Sequence, residues 1–187
     1  HTDDPHLAVR RAAIHGAAEL DPECDAWLIP LTDDELADVR FESLHALCAH
    51  APSLAEAPTL ARLDDDVDDV RAAAARALGV VGTGSARDAL AEALDDSSID
   101  VRRAAAVALA ELEDPRGEQV LIDALWDRGG WRLEAAEALG LVATDAGRDA
   151  LAARAESFFG SLIVRAAAGA SLARRGDARG VTALARV

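Results

Sequence analysis

The sequence contains no Lys, Asn, Tyr or Met, and it has only two cysteines, Cys24 and Cys48. Two cysteines are too few for a disulfide framework, which favours a reducing compartment, and we expect the cytoplasm. No apolar run approaches the roughly 20 residues that cross a bilayer, so a membrane protein is not expected. No secretory signal peptide is recognisable either.

Positive charge is also scarce. The chain has 19 Arg against 34 Asp and Glu, which gives a formal net charge of −15. An acidic surface repels polyanions, and the affinity of proteins for nucleic acid comes largely from neutralised phosphates. We therefore do not expect a nucleic acid partner.

Large side chains are few, and small ones take their place. There are three Trp and three Phe, whereas alanine occupies 45 positions. Alanine has the highest helix propensity, and its small side chain lets helices approach closely. The composition therefore predicts a helical protein with a core of closely packed helices.

The main feature that is present is an internal repeat. The dipeptide Val-Arg recurs at intervals of 30 to 33 residues, with Trp-Arg in one place. The pairs are Val9-Arg10, Val39-Arg40, Val70-Arg71, Val101-Arg102, Trp131-Arg132 and Val164-Arg165. Self-similarity at such a period is typical of stacked repeats rather than of a globular domain.

The residues after each pair have the 3.6-residue period of a buried helix. Counted from the Val, or from Trp131, the fourth and fifth positions are Ala-Ala in three repeats, the seventh and eighth are Ala-Leu in four, and the ninth is small throughout. Acidic turns such as Asp64-Asp65-Asp66 precede the pairs and suit helix N-termini, where side-chain oxygens cap free amides. Shorter helices are predicted before these turns, for example over Ala86 to Leu94 and Glu118 to Leu125.

This pattern resembles the HEAT-like repeats of the phycobilisome-lyase type. The run from Asp95 to Ala106 (DDSSIDVRRAAA) is the clearest copy, and the resemblance covers nearly the whole chain. It implies an all-α fold, a right-handed α-α superhelix of about six helix-pair repeats, with residues 1–187 forming one solenoid domain.

The repeated arginines allow two interpretations. A column of guanidinium groups could bind phosphates, or each Arg could pair with carboxylates of an adjacent turn. Asp38, Asp69 and Asp100 lie directly before three of the Val-Arg pairs and supply such carboxylates. Because a guanidinium binds a carboxylate through two parallel hydrogen bonds, we favour the Asp–Arg ladder.

In solenoids of this type the second helix of each pair usually lines the concave face. We expect its exposed side chains at the second, third and sixth positions after the Val, where three Arg are balanced by three Glu. A mixed, partly apolar surface suits a protein or peptide partner. The predicted partner-binding residues on this face are Phe41, His45, Arg76, Arg103, Leu133 and Glu137.

Two repeats depart from the acidic turn. The fifth has Trp126 and Trp131, and the sixth has Phe158-Phe159. Clustered aromatics often anchor a partner, although they also pack against one another. We add Trp126 and Trp131 to the predicted partner-binding residues as an edge anchor.

No metal or other cofactor is expected. His15, Glu42 and His45 have the residue types of a two-His, one-carboxylate site. However, HEAT-type metal hydroxylases carry repeated His-Glu pairs, and this sequence has no His-Glu dipeptide. Surface histidines are the simpler interpretation, and Cys48, in the small-residue column, is expected to pack in the core.

No catalytic motif is present. The sequence lacks Gly-x-Ser-x-Gly, His-Glu-x-x-His and zinc-spaced cysteines, and the glycine-rich run Gly79–Gly84 follows a helix rather than a strand. We therefore predict a non-enzymatic scaffold that binds a protein or peptide. The resemblance leaves two alternatives, a bilin-lyase-like enzyme or subunit and a HEAT-like DNA alkylation-repair glycosylase; the latter needs a basic groove.

Overall fold

The computed structural model describes residues 5–142, 144–157 and 161–186. Within these ranges the chain is helical, and it contains no strand. The described residues form twelve α-helices, joined by turns and short 3-10 segments. They are α1 (Pro5–Leu20), α2 (Asp25–Leu31), α3 (Ala37–His50), α4 (Pro52–Ala61), α5 (Asp68–Val81), α6 (Gly84–Glu92), α7 (Ile99–Glu111), α8 (Glu118–Trp126), α9 (Arg132–Val142), α10 (Asp145–Glu156), α11 (Leu162–Arg174) and α12 (Ala178–Leu184). The predicted all-α fold is confirmed.

The chain divides into two compact units, His1–Ala108 and Leu109–Val187, and the division falls inside α7. In unit 1, α3 packs against α1 and α5, while the shorter α4 contacts α2 and α6. In unit 2, α11 packs against α9, while α10 contacts α8 and α12. In each unit, therefore, alternate helices along the chain stack on one another. That residues 1–187 form one domain stays a prediction.

Alanine and leucine fill the core at the predicted positions. The alanines of the Ala-Ala pairs at the fourth and fifth positions are buried, as Ala74, Ala75, Ala105 and Ala106 show. The leucines at the eighth position are Leu47, Leu78, Leu109, Leu139 and Leu172, and each is no more than 1% exposed. Burial of one leucine side chain contributes about 1.5–3 kcal/mol, so this column is a main source of stability.

Close packing of the helices also buries several positions that were predicted to be exposed. In three of the four repeats of unit 1 the third position after the Val is buried, at Glu42, Ala73 and Ala104, and so are Ala72 and Val107. Because alanine side chains are short, neighbouring long helices approach until the alanine positions are covered. The exposed strip is therefore narrower than predicted.

The small ninth position permits one very close approach in unit 2. A Cβ atom on Gly140 of α9 would lie 2.7 Å from the Cβ of Ser171 on α11. That distance is shorter than any ordinary van der Waals contact, so only glycine fits here without movement of α11.

The acidic turns hold the chain before the helices rather than capping the helices themselves. The residues that cap α3 and α5 are Leu36 and Val67, and neither makes a side-chain capping bond. Instead, Asp34 Oδ1 accepts the amide of Leu36 at 2.9 Å, and Asp65 Oδ1 accepts that of Val67 at 3.0 Å. Such Asx turns leave the second carboxylate oxygen available for another donor.

Among the helices of the described ranges, none combines the length and the apolar composition of a membrane span.

Candidate functional site

The repeated arginines of unit 1 bind carboxylates of neighbouring turns. Arg40 donates from Nε to Asp65 Oδ2 at 2.8 Å and from Nη2 to Asp65 Oδ1 at 2.7 Å. Arg71 binds Asp96 through the same two nitrogens, at 2.8 and 3.1 Å. Arg10 pairs with Asp38, where Nε donates to Oδ2 at 2.8 Å. The predicted Asp–Arg ladder is thus observed at three arginines.

The carboxylates that bind the arginines are only partly the predicted ones. Asp38, which lies directly before a Val-Arg pair, binds Arg10 as expected. Arg40 and Arg71 instead bind aspartates of the acidic turns. Burial raises the pKa of Asp65, but its hydrogen bonds with Arg40 and the Val67 amide outweigh this and hold the pKa below its usual value. The hydrogen bond from Arg71 likewise lowers the pKa of Asp96. These arginines are therefore neutralised within the fold.

Side chains from three successive long helices meet on one surface of unit 1. Arg11 and His15 come from α1, and both contact Glu42 of α3. Arg11 Nε donates to Glu42 Oε1 at 2.6 Å, and His15 Nε2 lies 3.3 Å from Glu42 Oε2. Glu42 was predicted to be exposed, but it is buried because these two side chains cover it. We call the surface formed by Arg11, His15, Phe41, His45 and Arg76 the α1–α3–α5 surface.

His45 lies at the centre of this surface. Its ring centroid is 4.7 Å from that of Phe41, with the planes tilted by 55°. Desolvation lowers the pKa of His45; the charge of Glu42 opposes this, while His15, Arg76 and Arg11 reinforce it. The neutral imidazole is therefore favoured. Phe41 is half-buried and also packs against the core residues Leu44, Val70 and Ala74.

The remaining predicted partner-binding residues differ in exposure. Arg76 is exposed on α5, and Arg103 is half-buried on α7. In unit 2, Leu133 and Glu137 are both exposed one turn apart on α9. Trp131 is half-buried, whereas Trp126 at the end of α8 is 48% exposed. Phe158 and Phe159 lie outside the described residues.

The contact of Trp126 was not predicted. The Cζ atom of Arg154, on α10, lies 5.3 Å from the centroid of a Trp126 ring. Arg154 is only 5% exposed, and its Nε and Nη2 atoms are buried without a hydrogen-bond partner among the described residues. Arg154 belongs to α10, a first helix of its pair, whereas the partner-binding residues were predicted mainly on second helices. The replacement of the turn aspartate by Trp126 was the sequence feature that pointed here.

The described residues contain no group of three His, Cys, Asp or Glu arranged to hold a metal ion. His15, Glu42 and His45 therefore do not form a two-His, one-carboxylate site, although His15 and Glu42 are in contact. Cys24 and Cys48 are free thiols; Cys24 is buried, and burial raises the pKa of Cys48. Cys48 packs against the core cluster around Leu28 and Leu47, as its position in the small-residue column predicted.

Comparison with known proteins identifies the repeat. Residues 56–133 match the HEAT repeats family. No curated protein matches the chain significantly. Among solved structures, the chain is similar to the YibA protein of Escherichia coli, with 23% identity and a TM-score of 0.65, over 99% of this chain and 65% of YibA. This chain thus spans less than two thirds of the length of YibA.

Two further solved structures are similar. One is an engineered protein, with 20% identity and a TM-score of 0.56 over 85% of this chain and 83% of that one. The other is human deoxyhypusine hydroxylase in complex with glycerol, with 20% identity and a TM-score of only 0.42 over 91% of this chain and 80% of that one. At these identities the likeness concerns the fold alone, which is an all-α solenoid of HEAT-like repeats.

Proposed function

We propose that this chain is a non-enzymatic scaffold that binds a protein or peptide, and that its repeats are of the phycobilisome-lyase type. The observation that carries the proposal is the α1–α3–α5 surface. Three successive helices contribute cationic, aromatic and imidazole side chains to it, and a fixed Glu42 lies beneath two of them. A rigid surface assembled from consecutive repeats is how solenoids present binding faces.

The chemistry of this surface suits a protein partner. Arg76 and Arg11 supply positive charge, while Phe41 and His45 supply tilted, stacked rings at 4.7 Å. Arg and aromatic side chains are enriched among the residues that dominate interface energetics. We therefore expect the partner segment to combine acidic and apolar residues. In unit 2 we place further contacts at Trp126, Trp131, Leu133 and Glu137, and Arg103 supplies another in unit 1.

The same proposal excludes nucleic acid as the partner and an enzymatic role. A net charge of −15 and arginines already paired with aspartates disfavour a phosphate backbone as partner. The sequence also carries no Gly-x-Ser-x-Gly nucleophile motif, no His-Glu-x-x-His motif and no zinc-spaced cysteine pair.

The experiment is affinity capture from a lysate of the source organism with immobilised full-length protein. The binding variant is Arg76→Glu on α5, and the matched control is Arg87→Glu, which makes the same charge change at an exposed arginine of α6. We expect mass spectrometry to identify a protein that wild type and the Arg87 variant retain and the Arg76 variant loses. Retention of the same proteins by all three forms would contradict the proposal.

A further inference from the structure

Arg154 is a buried cation with one unsatisfied edge. Only 5% of its surface is exposed, and neither Nε nor Nη2 has a hydrogen-bond partner among the described residues. A buried charged group without a partner is costly, and nearly all such groups in native proteins are paired. The stacking of Trp126 on the guanidinium, at 5.3 Å, covers its face but supplies no acceptor to its edge.

The corresponding arginine of an earlier repeat shows what is missing. Arg62 lies three residues before Asp65, as Arg154 lies three residues before Ser157. Arg62 Nη1 is 2.9 Å from Asp33 Oδ1 and 3.5 Å from Asp65 Oδ2. Asp33 directly precedes the turn residue Asp34. Asp127 is the corresponding turn residue of the later repeat, and Trp126 directly precedes it, so Trp126 corresponds to Asp33. Both carboxylates that neutralise Arg62 are therefore replaced around Arg154, one by an indole and one by a hydroxyl.

The charges around Arg154 are positive as well. Burial lowers the pKa of Arg154, and the two charged neighbours that lower it further are Arg132 and Arg165. In the ladder, Arg40 binds Asp65, which lies 25 residues later in the sequence. The residue 25 positions after Arg132 is Ser157, which carries no carboxylate. Arg165 Nε also donates to the carbonyl oxygen of Ala155, next to Arg154 in the chain, at 3.4 Å. The charges of Arg132 and Arg165 thus act on Arg154 in a chain whose net charge is −15.

The unsatisfied edge has the geometry of an oxyanion receptor. Nε and Nη2 are the two nitrogens through which Arg40 and Arg71 bind both oxygens of a carboxylate. Their N–H bonds are parallel and match two oxygens of one carboxylate or phosphate. We propose that Arg154, Arg132 and Arg165 form an oxyanion-binding site in unit 2, which takes a phosphate or carboxylate group and lies beside Trp126.

Trp126 gives this site its reporter. The indole covers the face of the buried guanidinium and is 48% exposed, so an anion at the neighbouring Nε–Nη2 edge lies next to it. Occupation of the site therefore changes the environment of Trp126 and its fluorescence. The proposal goes beyond the scaffold function and does not depend on it, because a free anion is enough to occupy the site.

The test is a titration of the full chain with inorganic phosphate, sulfate or acetate at constant ionic strength, with chloride as the reference. The readouts are Tm and tryptophan fluorescence. A ligand that binds only the folded state stabilises it in proportion to the logarithm of 1 + [L]/Kd, so we expect Tm to keep rising with the logarithm of the anion concentration above Kd, whereas the fluorescence change follows a saturating binding curve. A response to phosphate and sulfate assigns the site to phosphate groups, and a response to acetate assigns it to carboxylates. No response beyond that in chloride overturns the proposal.

Two variants separate a specific site from the general stabilising effect of phosphate and sulfate, which are excluded from protein surfaces. Arg154→Met replaces the charged guanidinium with an unbranched apolar side chain. Arg128→Met is the control, because it removes an exposed arginine of the same unit. We expect the Arg154 variant to fold in chloride and to lose both the logarithmic rise in Tm and the saturable fluorescence change, which the Arg128 variant retains. Equal responses in both variants overturn the proposal.

If the Arg154 variant does not fold, Arg132→Gln and Arg165→Gln take its place, since both side chains are half-buried rather than enclosed. Each is expected to weaken the affinity for the responding anion by about tenfold, the usual order for loss of one charged hydrogen-bonding group. Unchanged affinity in both variants overturns the three-arginine site.

Discussion

Arg40 and Asp65 form an ion pair joined by two hydrogen bonds inside unit 1, with N–O distances of 2.8 and 2.7 Å. Side-chain exposure is 9% for Arg40 and 1% for Asp65, so removal of the arginine leaves a buried carboxylate without its main partner. We expect Arg40→Ala to lower the free energy of unfolding by about 3–5 kcal/mol. The measurement is urea denaturation followed by circular dichroism.

The control for this prediction is an exposed pair. Arg148 and Asp145 form an ion pair in α10, with the Asp145 side chain 93% exposed. Solvent screens such pairs, so Arg148→Ala should change the free energy of unfolding by no more than about 1 kcal/mol. Similar losses in the Arg40 and Arg148 variants would show that burial does not set the strength of the ladder.

Two glycine substitutions are expected to act in opposite directions. In Gly140→Ala, the new methyl carbon would lie 2.7 Å from Ser171 Cβ, which forces α9 and α11 apart and costs about 1–3 kcal/mol. In Gly16→Ala, within α1, the methyl group meets nothing within 4 Å, and the lower backbone entropy of alanine should stabilise by about 0.5–1 kcal/mol. Thermal unfolding distinguishes the two; equal signs would refute the packing argument.

His45 should make stability depend on pH. Its pKa in the folded protein lies below the unfolded value of 6.5, so the unfolded chain binds its proton more readily. The contribution is present above pH 6.5 and is lost as the pH falls through the folded pKa. We expect wild type to lose more stability than His45→Gln between about pH 8 and about pH 5.5 in urea denaturation. His50→Gln, at the exposed end of the same helix, is the control, and identical pH profiles for wild type and the His45 variant would contradict the assignment.

Arg103 and Trp131 test the predicted binding residues outside the α1–α3–α5 surface. Both side chains are half-buried, in units 1 and 2 respectively. We expect Arg103→Glu and Trp131→Ala each to reduce capture of the partner while far-UV circular dichroism stays close to that of wild type. Normal capture by both variants would remove these two residues from the proposed surface.

The repeat and its helices could be predicted from the sequence because the same pattern of small and apolar residues recurs in successive repeats. A Leu at the eighth position and Ala-Ala at the fourth and fifth are buried wherever the period places them. The exposed face was predicted less well, because it depends on how closely neighbouring helices approach. The burial of Glu42 follows from Arg11 and His15 of another helix, and no periodicity within α3 contains that information.

The Arg154–Trp126 contact was missed for a related reason. It joins α8 and α10, whose residues are far apart in the sequence, and a cation–π contact has no fixed spacing. Comparison of corresponding positions in successive repeats would have found it, since Asp33 becomes Trp126 and Asp65 becomes Ser157. Departures from a repeat are thus more informative about sites than the repeat itself.

The most direct test of the scaffold proposal is the Kd of the purified partner for full-length wild type and for Arg76→Glu, measured by isothermal titration calorimetry with Arg87→Glu as control. Arg76 lies on the α1–α3–α5 surface and Arg87 on a short helix, so the same charge change is made in two places. We predict that Arg76→Glu weakens binding by about tenfold or more, while Arg87→Glu leaves the Kd within about twofold of wild type. Equal affinities for all three forms, or equal losses in both variants, would contradict the proposal that this surface binds the partner.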